Sequence, residues 1–251
     1  MNPLLDLEPI RPGEGEAEAA LRLLGRLRRV YGVRFFDALS VDSWYVQGPF
    51  LKAVEKLGWE WVVVLKQERL EVFQEARALS RGQKPDREFA DPVRHRQVKL
   101  WEISKLNFSE SYPGKVRVVG SEEAWVQTKL VGGKKTEQPQ TSHWWWMASE
   151  GLKAYSGEVV YEGGHRRWGI ENKAFNELTQ SYHLEHCYHH EPVAMVAQML
   201  ILMLGFVLFN AYAVLHSQPF RWGQVTLKEL AHDLDLALEQ NCRWELWFAS
   251  G

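Results

Sequence analysis

The stretch YVQGPFLKAVEKLGWEWVVVLK, residues 45–66, joins two elements of opposite type at a single glycine. The part before Gly58 predicts a helix, because glycine commonly closes a helix at this position. The part after it, WEWVVVLK, is rich in β-branched residues and is typical of a buried strand. These residues therefore predict a helix that leads directly into a central strand.

The neighbouring segments continue this alternation. A strand is predicted for VRFFDALSVD, residues 33–42, and a helix for QERLEVFQEARALS, residues 67–80. Residues 16–31 have apolar side chains at helical spacing, with acids in the first turn and arginines in the last, and they predict another helix. The residues before it suggest a short strand and a Pro/Gly turn. The order strand, helix, strand, helix, strand indicates an α/β domain with its central strands largely buried.

The character of the sequence changes between about residues 86 and 149. Alternating segments such as RQVKLWEI, KVRVVGSEEAW and SHWWWMAS are separated by turn signals, and they predict an antiparallel β insertion. Alternation along the last segment places Trp144 and Trp146 on a buried face and exposes Trp145. Stacking of these tryptophans on unpaired bases is the alternative interpretation. Helices are predicted again from about residue 163 to 216 and from 226 to 242.

Composition excludes some classes of protein. The 251 residues are 45% hydrophobic, which is ample for a globular core. Thirty Lys and Arg against 32 Asp and Glu give a net charge of -2, so the chain is not strongly basic, although local basic patches remain possible. Cys187 and Cys242 are too few for a disulfide framework, and no secretory leader is recognised, which favours a reducing cytoplasm.

One apolar segment leaves two interpretations open. Residues 192–215 carry no charge and are long enough to cross a membrane. Against a membrane span, Gln198, Gly205 and Asn210 interrupt the segment, and no cluster of Lys or Arg flanks it. A buried core helix is the favoured interpretation.

The segment RRWGIENKAF, residues 166–175, places a carboxylate in an unusual position. On a helical wheel, Glu171 lies in the middle of the face that is expected to be buried. The apolar or aromatic residues within about 60° of it are Ala174, Phe175, Leu178 and Tyr182. A buried carboxylate needs a cation, which could be Arg167 four residues earlier or a bound Mg²⁺.

Asp42 is the natural second carboxylate for such a metal site. It closes a predicted strand, and α/β sheets tend to place their sites at the carboxyl ends of strands. An aspartate that starts a loop is also a common turn or cap residue. Position alone leaves both roles open.

Several segments together resemble the insertion-sequence DDE transposases. RRWGIENKAFNEL, HLEHCYHHEPVA and the apolar helix ending in LFNAY are similar to the carboxyl-terminal signature of the branch with a Tyr, Arg, Glu, Lys motif. RPGEGEAEAALRLL, VDSWYVQGPFLKAV and VVVLKQERLEVFQEA resemble the middle of those proteins. The resemblance covers residues 5 to about 215.

The resemblance implies a ribonuclease H-like core with a β-rich insertion before the last catalytic helix, followed by carboxyl-terminal helices. Residues 1–85 would be a partial core, residues 86–155 the insertion, and residues 156–251 the catalytic helix and the carboxyl-terminal helical part. The implied function is DNA transposition, in which Mg²⁺, or Mn²⁺ in its place, supports cleavage and joining of phosphodiester bonds. The implied partners are transposon-end DNA and a second copy or a full-length transposase, in the cytoplasm with the nucleoid and not in a membrane.

The resemblance also assigns roles to individual residues. Glu171 matches the family glutamate and Asp42 the second aspartate, so these two are the implied catalytic and metal-binding residues. Asp37 is a weaker match. The implied DNA-binding residues are Lys66, Arg166 and Arg167.

The chain departs from the family pattern in three ways. Gly164 stands where the signature tyrosine is expected, and Leu178 and Thr179 stand where the lysine is expected. The first catalytic aspartate has no counterpart, because Asp6 is the only acid on the predicted first strand and lies where the family has an edge strand. We therefore expect an amino-terminally truncated transposase that is inactive alone. The alternatives are a non-catalytic DNA-binding or regulatory remnant and a small membrane protein.

A cluster of histidines raises a further metal hypothesis. HLEHCYHH contains His183, His186, Cys187, His189 and His190, and a pair four residues apart could bind zinc from one helix face. No second pair of ligands occurs at a recognisable spacing, so zinc is the less favoured interpretation.

Overall fold

The computed structural model describes residues 4–131, 134–186, 190–217 and 227–241. Within them, the chain divides into two compact units, which we call the sheet unit (residues 8–172) and the helical unit (residues 1–7 with 173–251). The strands are β1 (Ala38–Val41), β2 (Glu60–Val64), β3 (Arg87–Asp91), β4 (Arg96–Ser109), β5 (Tyr112–Val131) and β6 (Lys134–Ser149). The helices are α1 (Glu16–Tyr31), α2 (Gly48–Lys56), α3 (Glu71–Ser80), α4 (Gly157–Arg166), α5 (Asn176–Tyr182), α6 (Pro192–Ser217) and α7 (Leu227–Asn241).

All six strands form one mixed sheet in the order β1-β2-β6-β5-β4-β3. β1 and β2 are parallel, with Val41 opposite Val63, whereas the other neighbours are antiparallel. The predicted β-rich segment therefore continues the sheet of the first two strands, because β6 pairs directly with β2. The α/β class and the antiparallel pairing of this segment are confirmed.

Helices cover both faces of the sheet. Trp61 and Val63 of β2 belong to the core beneath α1, α2 and α3, while Val62 and Val64 belong to the core beneath α4. A strand covered on both faces is expected to be apolar throughout, and this explains the β-branched run in residues 59–66. We call the two sides of the sheet the three-helix face and the α4 face.

Because helices cover both faces of the sheet, the prediction that Trp145 is exposed is wrong. Trp146 is buried on the α4 face, and Trp144 on the same face is partly buried, as predicted. Trp145 is not exposed, because it lies on the three-helix face with its ring centroid 5.7 Å from that of Phe73. The three tryptophans are therefore core residues rather than a surface for stacked bases.

Two predictions near the amino terminus are wrong in detail. Residues 4–15 contain no strand; Pro9 and Pro12 remove backbone donors there. Instead Glu8 accepts hydrogen bonds from two arginines of α1. The strand predicted for residues 33–42 begins only at Ala38, after a short 3₁₀ turn at Val33–Phe35. The helices predicted for residues 16–31, 45–58 and 67–80 are confirmed, with Gly58 at a φ of 89° after α2.

The helical unit contains α5, α6 and α7. Phe206 of α6 packs with Ala174 and Leu178 to form a small core. The expectation that α6 is a buried core helix is wrong for this unit, since only 6% of its most hydrophobic stretch is buried. By length and composition residues 192–215 could span a membrane, although one such helix is a weak indication of a membrane protein.

Candidate functional site

The carboxyl ends of β1 and β2 bring two of the predicted site residues together. Because the strands are parallel and adjacent, the residues that follow them meet at the same edge of the sheet. Asp42 follows β1 directly, and Lys66 follows β2 by two residues. The Lys66 Nζ atom lies 3.8 Å from Asp42 Oδ1.

Arg167 is the third member of this group. It follows the last residue of α4, and its NH2 atom lies 3.9 Å from Asp42 Oδ1. The arginine side chain is 9% exposed, whereas that of Asp42 is 41% exposed. The site thus combines a partly open carboxylate with one buried and one solvent-facing cation.

The turn after Asp42 is held by hydrogen bonds that the sequence did not reveal. Asp42 caps a 3₁₀ turn at Ser43–Tyr45, and its Oδ1 accepts a hydrogen bond of 2.7 Å from the Ser43 amide. Gln67 donates to the Ser43 carbonyl, and Gln47 donates to the carbonyl of the next residue, Trp44. The cap role that the sequence left open for Asp42 is therefore present together with its position in the site.

These neighbours determine the ionisation of Asp42. Burial acts to raise the pKa of the carboxyl, but the Ser43 amide, Arg167 and Lys66 outweigh it and hold the pKa below its usual value. Asp42 is consequently an anion near neutral pH and is suited to bind a cation.

Asp37 and Arg166 lie differently. Asp37 precedes β1, so the strand separates it from Asp42 and places it at the opposite end. Arg166 is exposed and donates to Glu162, one turn earlier on α4, at 2.7 Å. Of the predicted residues, the structure brings together Asp42, Lys66 and Arg167.

Glu171 lies in a π-helix, Ile170–Phe175, rather than in a continuous α-helix with Arg167. Its side chain lies outside the described residues, so its predicted role as a ligand remains a prediction. Ala174 and Leu178 are buried as the wheel predicted, but Phe175 is 48% exposed. The wheel is wrong there because a π-helix turns by a smaller angle per residue than the 100° of an α-helix.

The glycine at the position of the signature tyrosine has a structural explanation. A Cβ atom at Gly164 would lie 2.1 Å from Nε1 of Trp146, which is buried beneath α4. No side chain larger than hydrogen fits between this helix and the sheet. The tryptophan of β6 therefore occupies the space that a tyrosine would need.

A buried polar cluster beneath α4 was also missed by the sequence analysis. Glu123 of β5 is fully buried and contacts Arg96, Ser121 and His165, with His165 Nε2 at 2.7 Å. Burial acts to raise the pKa of Glu123, but the hydrogen bonds from its partners outweigh this and lower it. The alternation of side chains along β5 could have indicated the position of Glu123, because it places residues 119, 121 and 123 on one face.

In the parts of the chain that the structure describes, the side chains form no recognisable metal centre. There, no group of three or more His, Cys, Asp or Glu side chains is arranged to hold a metal ion. Cys187 and His189 of the histidine cluster lie outside the described residues, as does Cys242. His183 ends α5 in a left-handed conformation, with a φ of 53°. The zinc hypothesis therefore remains a prediction.

The chain is similar to a known protein family. A family model described as a transposase DDE domain matches residues 12–208, which is most of the chain and includes every member of the candidate site. Comparison with individual curated proteins gives no match.

Proposed function

The chain belongs to the transposase DDE domain family, and we propose that it acts in DNA transposition by binding transposon-end DNA at the edge of the sheet near Asp42. Mg²⁺, or Mn²⁺ in its place, is the proposed cofactor. The proposed location is the cytoplasm, in association with the nucleoid.

The observation that carries this proposal is the meeting of Asp42, Lys66 and Arg167 at the carboxyl ends of the parallel strands. A carboxylate flanked by two cations suits a ligand that carries both a metal ion and phosphate oxygens. In a family that acts on DNA, the phosphodiester backbone is such a ligand.

The donor set fits a divalent cation. The Ser43 amide, Lys66 and Arg167 all contact Oδ1 of the Asp42 carboxylate, and the side chain is 41% exposed, so a metal ion can reach it. Carboxylate oxygens are the ligands that Mg²⁺ prefers. Glu171 is the proposed second ligand, and its place in a π-helix supports this role because such helices are frequent at functional sites. When bound, the metal would activate the attacking hydroxyl and stabilise the leaving oxygen.

The two cations would orient the DNA backbone. Lys66 Nζ and Arg167 Nη2 lie 3.8 and 3.9 Å from Asp42 Oδ1, so both positive charges flank the carboxylate. A guanidinium can donate two parallel hydrogen bonds to a phosphate, whereas an ammonium acts as a point charge. We therefore assign phosphate orientation to Arg167 and electrostatic attraction of the backbone to Lys66.

We further propose a ribonuclease H-like core and weak metal binding by the chain alone. Asp42 and Glu171 are two carboxylates, whereas the resemblance implies three, and fewer ligands lower metal affinity. With only two carboxylates to hold the metal, we expect the chain to cut no DNA by itself. The missing third carboxylate also favours a second candidate function, a non-catalytic regulator that occupies transposon ends or pairs with an active transposase.

Metal binding tests the site directly. Titration of the purified chain with Mn²⁺, followed by the electron paramagnetic resonance of the free ion, is expected to show weak binding that Asp42→Asn abolishes. Asp37→Asn, at the other end of β1, is the matched control and should bind like the unchanged chain. Equal binding by the chain and Asp42→Asn would remove Asp42 from the site.

DNA cleavage tests the inactivity of the chain. The purified chain, with Mg²⁺ or Mn²⁺, is incubated with duplexes that cover the genomic DNA flanking its gene. We expect binding in a gel-shift assay without strand cleavage. Cleavage that Asp42→Asn abolishes would show that the chain is active by itself and would contradict this expectation.

A further inference from the structure

The β5–β6 hairpin extends beyond the rest of the sheet. β4 pairs with β5 only as far as Ala124, and β2 pairs with β6 near Trp146. Residues 125–131 and 134–140 pair only with each other within the described chain, and we call them the ribbon. Seven residues per strand give the ribbon a length of roughly 24 Å.

The pairing register separates the ribbon into two different faces. Paired residues of antiparallel strands share a face, and neighbours along a strand alternate between faces. Among the side chains that the structure describes, those on the first face, the amide face, are Trp125, Gln127, Thr136, Gln138 and Gln140. The side chains on the opposite face are Val126, Thr128, Leu130, Lys135, Glu137 and Pro139.

The amide face has the chemistry of a surface that reads bases. Its three glutamines and one threonine are wholly or partly exposed, and its described side chains include no acid. Glutamine can bind the N6 and N7 atoms of adenine with two hydrogen bonds. The single acid of the ribbon, Glu137, lies on the opposite face.

The charge and the width of the ribbon indicate duplex DNA as its partner. The ribbon sequence contains three lysines, at positions 129, 134 and 135, against one glutamate, so it complements a polyanion. A two-stranded β-ribbon fits the major groove of B-form DNA, which is about 12 Å wide. The major groove of duplex RNA is too narrow for side chains to read.

The base of the ribbon connects it to the candidate site. Arg96 lies over the ring of Trp125 on the amide face, 4.3 Å from the ring centroid. It also contacts Glu123, which binds His165 of α4, two residues before Arg167. The amide face is therefore continuous with the α4 face of the sheet. Arg167 of the candidate site directly follows α4, the helix that covers this face.

We propose that the amide face of the ribbon enters the major groove of duplex DNA and reads its base sequence beside the site. This inference rests on the proposed function, because it adds sequence recognition to DNA binding at Asp42. The lysines of the ribbon supply attraction to the backbone, and the paired glutamines supply the discrimination between sequences.

The test compares two double variants that alter directly paired residues. Gln127→Ala with Gln138→Ala removes two amides from the amide face. Thr128→Ala with Glu137→Ala alters the next pair along the ribbon, on the opposite face, and is the matched control. Circular dichroism and thermal unfolding establish that both variants fold.

Binding is measured by fluorescence anisotropy with duplexes that tile the genomic DNA flanking the gene, with scrambled duplexes and with duplex RNA. We expect the unchanged chain to prefer one flanking DNA duplex. The glutamine variant should lose at least about fivefold in affinity for that duplex and keep its affinity for scrambled DNA. The control should keep the preference and bind equally or more tightly, because it loses a negative charge.

Dimethyl sulfate provides a second measurement, since methylation of guanine N7 blocks the major groove. Interference is expected with the unchanged chain and not with the glutamine variant. Unchanged preference in the glutamine variant, equal loss in the control, or equal binding of duplex RNA would overturn the inference while leaving DNA binding intact. Failure of the unchanged chain to bind any duplex would contradict the proposed function as well.

Discussion

At the scale of single residues, burial acts to raise the pKa of Asp42, and the Ser43 amide, Arg167 and Lys66 together lower it. Lys66→Met removes one of them, so the pKa of Asp42 should rise toward its ordinary value. The carbon-13 shift of the Asp42 carboxyl, followed by NMR across acidic pH, measures this change. Lys99→Met is the control, because Lys99 is similarly exposed but pairs with Glu122. An unchanged Asp42 titration in Lys66→Met would show that Lys66 does not act on the carboxylate.

The contact between Lys66 and Asp42 should also make the stability of the folded chain depend on pH. Because the pKa of Asp42 is lowered in the folded chain, its stabilisation is present near neutral pH and is lost as pH falls through that lowered pKa. The Lys66 variant should therefore be less stable than the unchanged chain near neutral pH, by less than about 1 kcal/mol because solvent screens the pair. At the acidic end of the range the two should converge.

Glu123 is expected to matter far more for stability than its neighbour. Glu123→Gln leaves Arg96 and His165 without their buried carboxylate, and breaking a buried ion pair costs about 3 kcal/mol. Glu122→Gln alters an exposed pair with Lys99 and should cost no more than about 1 kcal/mol. Urea unfolding followed by far-ultraviolet circular dichroism measures both. Equal midpoints for the two variants would mean that the buried cluster contributes no net stability.

At the scale of elements, two adjacent glycines of α4 should respond in opposite directions. A Cβ at Gly163 meets no atom within 4 Å, whereas one at Gly164 would clash with Trp146. Gly163→Ala should stabilise the chain by about 0.5–1 kcal/mol, because alanine favours the helix. Gly164→Ala should destabilise it by about 1–3 kcal/mol through overpacking. Thermal unfolding gives both values, and stabilisation by both alanines would show that α4 does not pack closely on β6.

The sequence predicted an element correctly where the pattern that specifies the element lies within one segment. The apolar run of β2 and the spacing of α1 lie within single segments, and both elements are found where they were predicted. Whether Trp145 is covered depends on α3, which is distant in sequence. The wheel around Glu171 failed at Phe175 because it assumed an α-helical turn angle, whereas residues 170–175 form a π-helix.

At the scale of the whole molecule, the sheet order explains why only part of the site was predictable. The strand-end position of Asp42 follows from one segment, and the resemblance to the family supplied only its proposed role. The contact with Lys66 requires β1 and β2 to be neighbours in parallel, and the contact with Arg167 requires α4 to pack on the same sheet. Glu123 was missed because its importance depends on α4 covering β5.

The apolar face of α6 should determine how the whole chain behaves in solution. Ile201, Leu204 and Leu208 are exposed at spacings of three and four residues, so they form one continuous stripe along the helix. Continuous apolar patches of this kind promote association. Ile201→Gln with Leu208→Gln should therefore raise the monomer fraction in detergent-free buffer, as measured by sedimentation velocity.

Val93→Gln is the control for this change, because Val93 is an exposed apolar residue of the sheet unit and is not part of the α6 stripe. If exposed apolar area in general drives association, both substitutions should raise the monomer fraction; if the stripe drives it, only the α6 variant should. An unchanged distribution in the α6 variant would contradict the role of the stripe. Transfer of the unchanged chain, but not of the α6 variant, into lipid vesicles would instead support the membrane interpretation of residues 192–215, because glutamines in the middle of a span oppose insertion.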